Sequence, residues 1–181
     1  MNIKLHDEYV LRDWPTAWAG EDQARFVALA DDRDIWLNLR DRFPHPYTRE
    51  NAEDWVALQQ ERDPIDNFAI CDTRGPIGSI GLTLREGDLQ HSAELGYWLG
   101  KPFWGRGIAT KAAREVTAYG FRNLGLLRID APVHTDNLAS VRVLEKAGYQ
   151  REGLLRQVEL KQDVPMDHFL YAILRNDWRG Q

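Results

Sequence analysis

Residues Leu95 to Lys111 read LGYWLGKPFWGRGIATK and form the most informative stretch of the chain. An apolar run typical of a β-strand ends in a glycine-rich turn, which opens directly into an alanine-rich helix. At a helix start several backbone N–H groups have no partner within the helix, and the helix dipole places partial positive charge there. Phosphate groups bind at such helix starts. The stretch therefore predicts a strand–turn–helix unit that binds a phosphorylated cofactor.

The composition limits the class of protein. The 181 residues, 43% hydrophobic and 28% charged, are typical of one soluble globular domain covering residues 1–181. No apolar run reaches the roughly 20 residues that span a bilayer, and the opening MNIKLHDEYVLRDW is unlike a secretory signal. The single cysteine, Cys71, excludes an internal disulfide and is typical of a reducing cytosol. We therefore expect a cytoplasmic protein.

The net charge of −5 bears on possible partners. Nucleic-acid binders usually show a basic excess or a concentrated basic face, so we expect no nucleic-acid partner, and no membrane partner either. An acidic enzyme suits a cationic substrate such as an amine, but plain solubility explains the same charge equally well. The charge alone leaves these two interpretations open.

Hydrophobic periodicity and turn residues predict the order of elements. We expect strands at residues 9–14, 67–72, 77–84, 92–99, 127–133, 151–160 and 169–174. We expect helices at 21–42 (broken near 31–34), 49–62, 108–123 and 137–147, with Thr48 as an N-cap and Gly148 closing the last helix. One parallel crossover lies at residues 92–133, and the other connections favour antiparallel pairing. The expected fold is α+β (mixed α/β): a mostly antiparallel seven-stranded sheet with about four helices.

Two familiar phosphate-binding motifs do not fit the turn. Gly105-Arg106-Gly107 begins like a dinucleotide fingerprint, but Thr110 stands at the third glycine position and no second βαβ half follows. No Gly-Lys-Ser/Thr follows the turn either, which excludes a nucleotide P-loop.

The residues instead resemble the GNAT superfamily of acetyl-CoA-dependent N-acetyltransferases, whose phosphate loop reads Gln/Arg-x-x-Gly-x-Gly/Ala. Residues 104–109, WGRGIA, match at Gly107 and Ala109 and depart at Trp104, a variant seen in relatives of the RimJ/RimL type. Further blocks resemble that subgroup in the same order along nearly the whole chain: PYT at 46–48, ELGYWL at 94–99, NLAS at 137–140, EKAGY at 145–149, DHFLY at 167–171 and DW at 177–178.

The resemblance implies a sheet that splays in the middle and binds acetyl-CoA there. The backbone of Tyr97, Trp98 and Leu99 is expected to pair with the pantetheine amides, as an added strand does. The pyrophosphate is expected on the amides of the turn, with a contact from the Arg106 side chain. The implied cofactor contacts in and beyond this turn are Trp104, Gly105, Arg106, Gly107, Ile108, Ala109, Thr110, Asn137 and Lys146. Helix capping explains Asn137 equally well, and Lys146 is equally typical of a solvated cation in a last turn.

The same resemblance implies catalytic residues. An amine attacks a thioester only when it is neutral, so a carboxylate that removes its proton is useful, and we predict that Glu94 is this base. The alternative interpretation is that Glu94 faces outward from its strand and pairs with a neighbouring cation. Many GNAT enzymes carry a tyrosine where Leu144 stands, and that phenol protonates the leaving thiolate. In this chain Ser140 is predicted to replace the phenol as the hydrogen-bond donor to the sulfur. A structural role as a small helix residue that faces the sheet explains Ser140 equally well.

Other residues receive weaker assignments. By resemblance Trp36, Phe43 and Tyr47 form part of the amine-binding wall. Cys71 lies in an apolar strand and is expected in the core. The five histidines show no H-x-x-x-H or Cys/His spacing, so no metal site is expected, and His134 alone stands near the proposed cleft.

The leading functional hypothesis is transfer of acetyl from acetyl-CoA to a primary amine, a protein N-terminal α-amine or a small amine, by direct attack in a ternary complex. The alternatives are a non-catalytic acyl-CoA-binding regulatory module, which the missing phenol at Leu144 keeps open, and a transferase of another acyl group such as succinyl. An acetyltransferase toxin acting on charged tRNA is a weaker idea, because the composition shows no basic face. The chain is expected to be a monomer or a homodimer.

Overall fold

The computed structural model describes residues 2–6, 8–15 and 20–180. Within them the strands are β1 (Asn2–His6), β2 (Tyr9–Arg12), β3 (Asn67–Asp72), β4 (Gly75–Leu84), β5 (Ser92–Leu99), β6 (Arg128–His134), β7 (Gln150–Lys161) and β8 (Val164–Leu174). The α-helices are α1 (Glu21–Ala30), α2 (Arg33–Leu37), α3 (Arg49–Gln60), α4 (Ile108–Asn123) and α5 (Leu138–Ala147). Two short 3₁₀ turns lie at Gly87–Leu89 and Lys101–Phe103.

The strands form one mixed sheet in the order β1-β2-β3-β4-β5-β6-β8-β7. Pairing is antiparallel between β1 and β2, β2 and β3, β3 and β4, β6 and β8, and β7 and β8. Strands β5 and β6 pair in parallel, from Ser92↔Arg128 to Glu94↔Asp130, and β5 continues to Leu99. The α+β class and the single parallel crossover through α4 are therefore confirmed.

The strand count differs from the prediction by one. The structure has eight strands among the described residues rather than seven, and the additional strand is β1. Its sequence NIKLH mixes polar and charged residues with apolar ones, and Leu5 is its one buried side chain. It is a short strand that pairs with β2 at the end of the sheet, and such edge strands need little hydrophobic surface. Strand β8 also starts earlier than predicted, at Val164.

The first helical segment is shorter than expected. The break near residues 31–34 is confirmed, because Asp32 caps α2 by accepting hydrogen bonds from the N–H groups of Asp34 and Ile35. The segment ends at Leu37, not at residue 42. Helix α3 begins with the predicted Thr48 cap, which forms a capping box with Asn51, and ends at Gln60.

The chain divides into two compact units. The first comprises Met1–Gly81 and Tyr97–Ile108. Its core joins α1 and α3 to β2 and β3 through buried side chains that include Trp14, Phe26, Tyr47, Ala52, Val56 and Ala69. Cys71 belongs to this core, as predicted. None of the helices in the described part of the chain is long and apolar enough to cross a bilayer.

The second unit comprises Leu82–Gly96 and Ala109–Gln181. Gly120 of α4 packs so closely on its neighbours that an added Cβ would lie 2.9–3.1 Å from side-chain atoms of Leu82, Ile129 and Leu126. The hydroxyls of Thr117 and Tyr149 share a buried hydrogen bond of 2.7 Å. These contacts fix α4 against the strands of its own unit.

Candidate active site

Two glycines shape the turn before α4. Gly105 has a φ of 76° and Gly107 a φ of 77°, a region that L side chains rarely adopt. Apart from the chain neighbours, no described heavy atom lies within 4 Å of the position where a Cβ would stand on either residue. The requirement for glycine is therefore conformational, and a side chain would project into this space. A turn of this kind, with an exposed backbone directly before Ile108, fits a phosphate group bound by amides at the start of a helix.

Trp104 fastens the beginning of the turn. Its indole Nε1 donates a hydrogen bond of 2.6 Å to the carbonyl of Leu99, the last residue of β5. The ring itself is 43% exposed, so this hydrogen bond rather than burial holds it. Trp104, which departs from the family's usual loop pattern, thus stabilises the turn through its hydrogen bond to Leu99.

Arg106 is exposed, and its side chain is already engaged. Its Nη1 donates to the phenol oxygen of Tyr9 at 3.0 Å, and the guanidinium lies 5.6 Å from the ring centroid of Phe103. Any phosphate contact from this guanidinium would therefore be shared with Tyr9. The predicted contact from the backbone of Arg106 is independent of this arrangement.

The end of β5 lies against β4 within the first unit. The N–H of Gly100 donates to the carbonyl of Ile77 at 2.8 Å. A Cβ on Gly78 would stand 2.4 Å from the carbonyl oxygen of Trp98, so only glycine allows this approach. The Trp98 ring packs against Phe26 and Phe43, with centroids 5.1 and 5.7 Å away. The Trp98 side chain is thus a core contact, and the cofactor prediction for this residue concerns its backbone.

The aromatic residues predicted for the amine-binding wall fall into two groups. Phe43 and Tyr47 stack with their centroids 4.9 Å apart, next to the Trp98 ring. Tyr47 is buried, and this burial raises the pKa of its phenol. Trp36 stacks instead on His45, 5.1 Å away. The structure brings Phe43, Tyr47 and Trp98 together but gives Trp36 a different neighbour.

In the second unit Glu94 stands beside an ion-pair network. It lies opposite Asp130 in the parallel register, and the Arg85 guanidinium binds Asp130 through two hydrogen bonds of 2.7 and 2.8 Å. The hydrogen bonds that Arg85 donates to Asp130 raise the pKa of Arg85, and the charge of Glu94 adds to this. Sequence reasoning singled out neither Arg85 nor Asp130, because their pairing depends on strand neighbours far apart in the chain. The Arg85 cation near Glu94 agrees with the alternative interpretation, in which Glu94 is a strand acid that pairs with a neighbouring cation. It leaves open the hypothesis that Glu94 is the catalytic base.

The N-terminus of α5 joins two predicted site residues. The Asn137 side chain accepts a hydrogen bond of 3.0 Å from the N–H of Ser140, so Asn137 is the helix cap. The N–H of Asn137 donates to the carbonyl of His134, which ties this helix to the end of β6. Leu144 is 1% exposed, so the position where many family members carry a phenol is a buried, apolar one in this chain.

Lys146 lies at the other end of α5 and is exposed. Its carbonyl accepts hydrogen bonds from the Arg114 guanidinium of α4 at 2.5 and 3.2 Å. Arg114, Lys146, Trp178 and Arg179 line one groove of the second unit. Lys146 therefore lies near two other cations, Arg114 and Arg179. This position fits both interpretations of Lys146, a contact to an anion and a solvated cation in the last helical turn.

A family comparison assigns the class. The acetyltransferase (GNAT) domain family matches residues 16–150. The chain belongs to the GNAT acetyltransferase family, and its enzyme class is that of N-acetyltransferases.

Curated relatives agree with this class. The chain is 34% identical to the uncharacterized N-acetyltransferase YnaD of Bacillus subtilis, over 94% of the chain and 93% of YnaD. It is 34% identical to the uncharacterized N-acetyltransferase p20 of Bacillus licheniformis over 63% of the chain, and the match spans 64% of p20, just under two thirds of that protein. It is 32% identical to the ribosomal-protein-serine acetyltransferase of Escherichia coli over 69% of each chain.

Solved structures share the fold. A GNAT-family acetyltransferase from Bacillus anthracis superposes with a TM-score of 0.79 at 25% identity, over 97% of this chain and 99% of that one. Mycobacterium smegmatis RimJ, solved in complex with CoA-disulfide, superposes with a TM-score of 0.80 at 24% identity, over 94% and 84% of the two chains. These superpositions show the shared fold, and the 32% identical Escherichia coli relative confirms the resemblance to ribosomal-protein acetyltransferases.

Proposed function

We propose that this chain works as one GNAT domain over residues 1–181 and transfers an acetyl group from acetyl-CoA to a primary amine. The observation that carries the proposal is the turn at Gly105 and Gly107, which precedes α4 inside the segment that matches the acetyltransferase family. The glycine backbone conformation and the exposed turn fit a diphosphate bound by the amides of residues 106–110.

We assign the donor contacts as follows. The amides of residues 106–110 bind the diphosphate, and pantetheine runs along the end of β5. The carbonyl of Leu99 already accepts from Trp104, and that of Trp98 lies against Gly78 of β4. Strand-like pairing with pantetheine is therefore assigned to the backbone of Tyr97 and to the N–H of Leu99. Asn137 and Lys146 are assigned to the rest of the nucleotide portion. Support for this arrangement comes from the family resemblance together with the shape of the turn.

The transfer is proposed as direct attack in a ternary complex. The neutral amine nitrogen bonds to the thioester carbonyl carbon, the C–S bond breaks, and the sulfur leaves with the bonding electrons. Before the attack Glu94 takes the proton from the ammonium form of the acceptor. The proton that the nitrogen loses as the amide forms goes to the leaving thiolate, to which Ser140 donates a hydrogen bond. The only cysteine supports this route, because burial raises the pKa of the Cys71 thiol to about 12 and so disfavours a covalent acyl-enzyme. The proposed transfer uses no metal.

The acceptor proposed here is an α-amine at a protein N-terminus. The Escherichia coli relative is named as a ribosomal-protein-serine acetyltransferase, and it matches 69% of this chain. An α-amino group, with a reference pKa of about 7.7–8.0, also loses its proton more readily than a lysine-type amine near 10.4. We assign Phe43, Tyr47 and Trp36 to the wall that binds the acceptor amine.

We further propose that the protein is cytoplasmic and acts as a monomer or homodimer, with neither nucleic acid nor membrane as partner.

The test is a product assay. The purified chain is incubated with acetyl-CoA, or with succinyl-CoA as a matched donor, and with N-terminal peptides, polyamines and aminoglycosides. Mass spectrometry of the products is expected to show acetyl on the peptide α-amine, with stoichiometric release of free thiol. Saturable CoA binding without any acylated product would instead support the non-catalytic binding module.

A further inference from the structure

Three ionisable side chains from neighbouring strands meet in the second unit. They are His134 at the end of β6, His168 of β8 and Glu159 of β7, and we call them the His–Glu–His cluster. The Oε2 of Glu159 lies 3.1 Å from Nε2 of His168 and 3.5 Å from Nε2 of His134. One nitrogen or oxygen atom from each residue lies within 4.8 Å of the other two.

The backbone is built so that these residues share one face. His134 and His168 are direct partners in the antiparallel register of β6 and β8. On the next strand Leu155 pairs with His168 and Glu159 with Met166, so residues 156–158 stand against the single residue Asp167. This bulge contains Gln157 at a φ of 50°, and its N–H donates to the Asp167 side chain at 2.8 Å. A bulge changes the direction in which the following side chains point. Here it directs the Glu159 side chain towards the two imidazoles.

The cluster is largely removed from water. The side chains of His134 and His168 are only 5% and 7% exposed, and Glu159 is 16% exposed. Burying a carboxylate beside two imidazoles is costly unless charge and hydrogen bonds compensate. A cation bound between them would supply that compensation. The partly exposed Glu159 leaves a side on which a water ligand and an entering ion are accommodated.

We propose that the His–Glu–His cluster is a binding site for a divalent transition-metal ion of the Zn²⁺ type. Two imidazoles and one carboxylate are a common protein ligand set for zinc, with water as the fourth ligand. Bond lengths of about 2.0–2.2 Å in a tetrahedral site place neighbouring ligand atoms about 3.4 Å apart. The distances of 3.1 and 3.5 Å from Glu159 match that spacing.

This proposal departs from the expectation, drawn from the sequence, that the histidines bind no metal. That expectation was based on spacing along the chain, where His134 and His168 show no metal-ligand pattern. Strand pairing brings them together regardless of their separation in sequence. Because the metal would join β6 to the β7–β8 hairpin, its binding stabilises this part of the fold. The proposal does not rest on acetyl transfer, in which the metal has no assigned step.

The experiment is a titration of the chelator-treated 181-residue chain with zinc chloride, measured by isothermal titration calorimetry. One equivalent of Zn²⁺ is expected to bind saturably and to raise the melting temperature. Glu159→Gln keeps the size of the side chain and removes its charge, so it is expected to weaken Zn²⁺ binding at least about tenfold. Glu152→Gln, on the same strand but paired with Arg128, is the matched control and is expected to bind as the wild type does.

Histidine variants extend the test. His134→Ala and His168→Ala are each expected to weaken binding at least as much as Glu159→Gln, whereas the exposed His91→Ala leaves it unchanged. Both cluster histidines are buried, so these variants can also lose stability. A second measurement therefore uses the wild type alone. Co²⁺ is added in place of Zn²⁺, and the visible absorption spectrum is expected to be that of a tetrahedrally coordinated ion. Absence of saturable Zn²⁺ binding, a Co²⁺ spectrum like that of the aqueous ion, or equal affinity in Glu159→Gln overturns the proposal.

Discussion

The indole Nε1 of Trp104 donates a hydrogen bond of 2.6 Å to the carbonyl of Leu99. This bond joins the last residue of β5 to the residue immediately before Gly105, so it closes the turn on which the proposed diphosphate site depends. A side chain that does not match the usual family motif thus performs a structural task at the same place. The proposed function predicts that weakening this contact weakens CoA binding.

Removing the indole N–H of Trp104 tests this relationship. Trp104→Phe keeps an aromatic ring but cannot donate to Leu99, and an intramolecular hydrogen bond contributes about 0.5–1.5 kcal/mol. We expect the CoA dissociation constant, measured by calorimetry, to rise by up to about tenfold. Trp14→Phe is the control, because it also removes an indole hydrogen bond, the one of 2.9 Å to Asn67, at a residue with no assigned CoA contact. Equal effects of the two variants would contradict a specific role for Trp104.

The backbone conformation of Gly107 is the second test. An L residue in the left-handed region costs roughly 1–2 kcal/mol, so Gly107→Ala is expected to lower stability and to weaken CoA binding about tenfold. Gly87→Ala is a matched control, since Gly87 has a φ of 60° and no atom within 4 Å of its Cβ position. Both variants should lose similar stability in chemical denaturation, but only Gly107→Ala should lose CoA affinity. Unchanged affinity in Gly107→Ala would argue against the turn as the diphosphate site.

The base hypothesis for Glu94 has a characteristic pH dependence. Glu94→Gln is expected to lower kcat at neutral pH by at least about tenfold, since general bases contribute about 10²–10⁴-fold. Above the reference pKa of an α-amine, about 7.7–8.0, the acceptor is already neutral, so the deficit should shrink as the pH rises. The pH profile of kcat checks this, with Glu152→Gln as a carboxylate control that pairs with Arg128. A deficit that is the same at every pH indicates that Glu94 has a structural role beside Arg85.

The ion pair between Arg25 and Asp72 predicts an acid-dependent stability. Burial raises the pKa of Asp72, but hydrogen bonds from Arg25 and from the N–H of Arg74 outweigh it, and the net pKa is lowered. A carboxyl group with a lowered pKa stabilises the fold above its unfolded pKa of about 3.9 and loses that contribution as the pH falls through its folded value.

Asp72→Asn should therefore lower the free energy of unfolding by about 1–3 kcal/mol at neutral pH. The difference from the wild type should narrow as the pH falls below about 4, because the unfolded chain takes up a proton at Asp72 before the folded chain does. Urea titrations at several pH values provide the measurement. The exposed pair Arg49–Glu53 is the control, and Glu53→Gln should show no comparable loss. A constant deficit across the acid range would show that the Asp72 charge is not the cause.

Local signals in the sequence predicted the parts of the fold that depend on neighbouring residues. The start of α4 at Ile108, the Thr48 cap and the Gly148 helix end are all set by residue types within one turn of the chain. The parallel crossover followed from a strand, a turn and a helix in succession. Strand β1 escaped prediction because its side chains are largely polar and it pairs at the sheet edge.

The candidate site was less predictable where it depends on pairing between distant residues. The contact between Arg85 and Asp130 and the meeting of His134 with Glu159 and His168 both depend on strand register. The same holds for Trp98, whose ring packs against Phe26 of α1. No local pattern in a single sequence determines which of two strands will be neighbours, so these contacts required the structure.

The central claim is that amides at residues 106–110 hold the diphosphate of CoA. The most direct measurement is calorimetric titration of the wild type with CoA and with pantetheine, which lacks the diphosphate. We expect saturable CoA binding at least about tenfold tighter than pantetheine binding, with most of this difference lost in Gly107→Ala. Equal affinity for the two ligands, or no saturable binding of CoA, would contradict it.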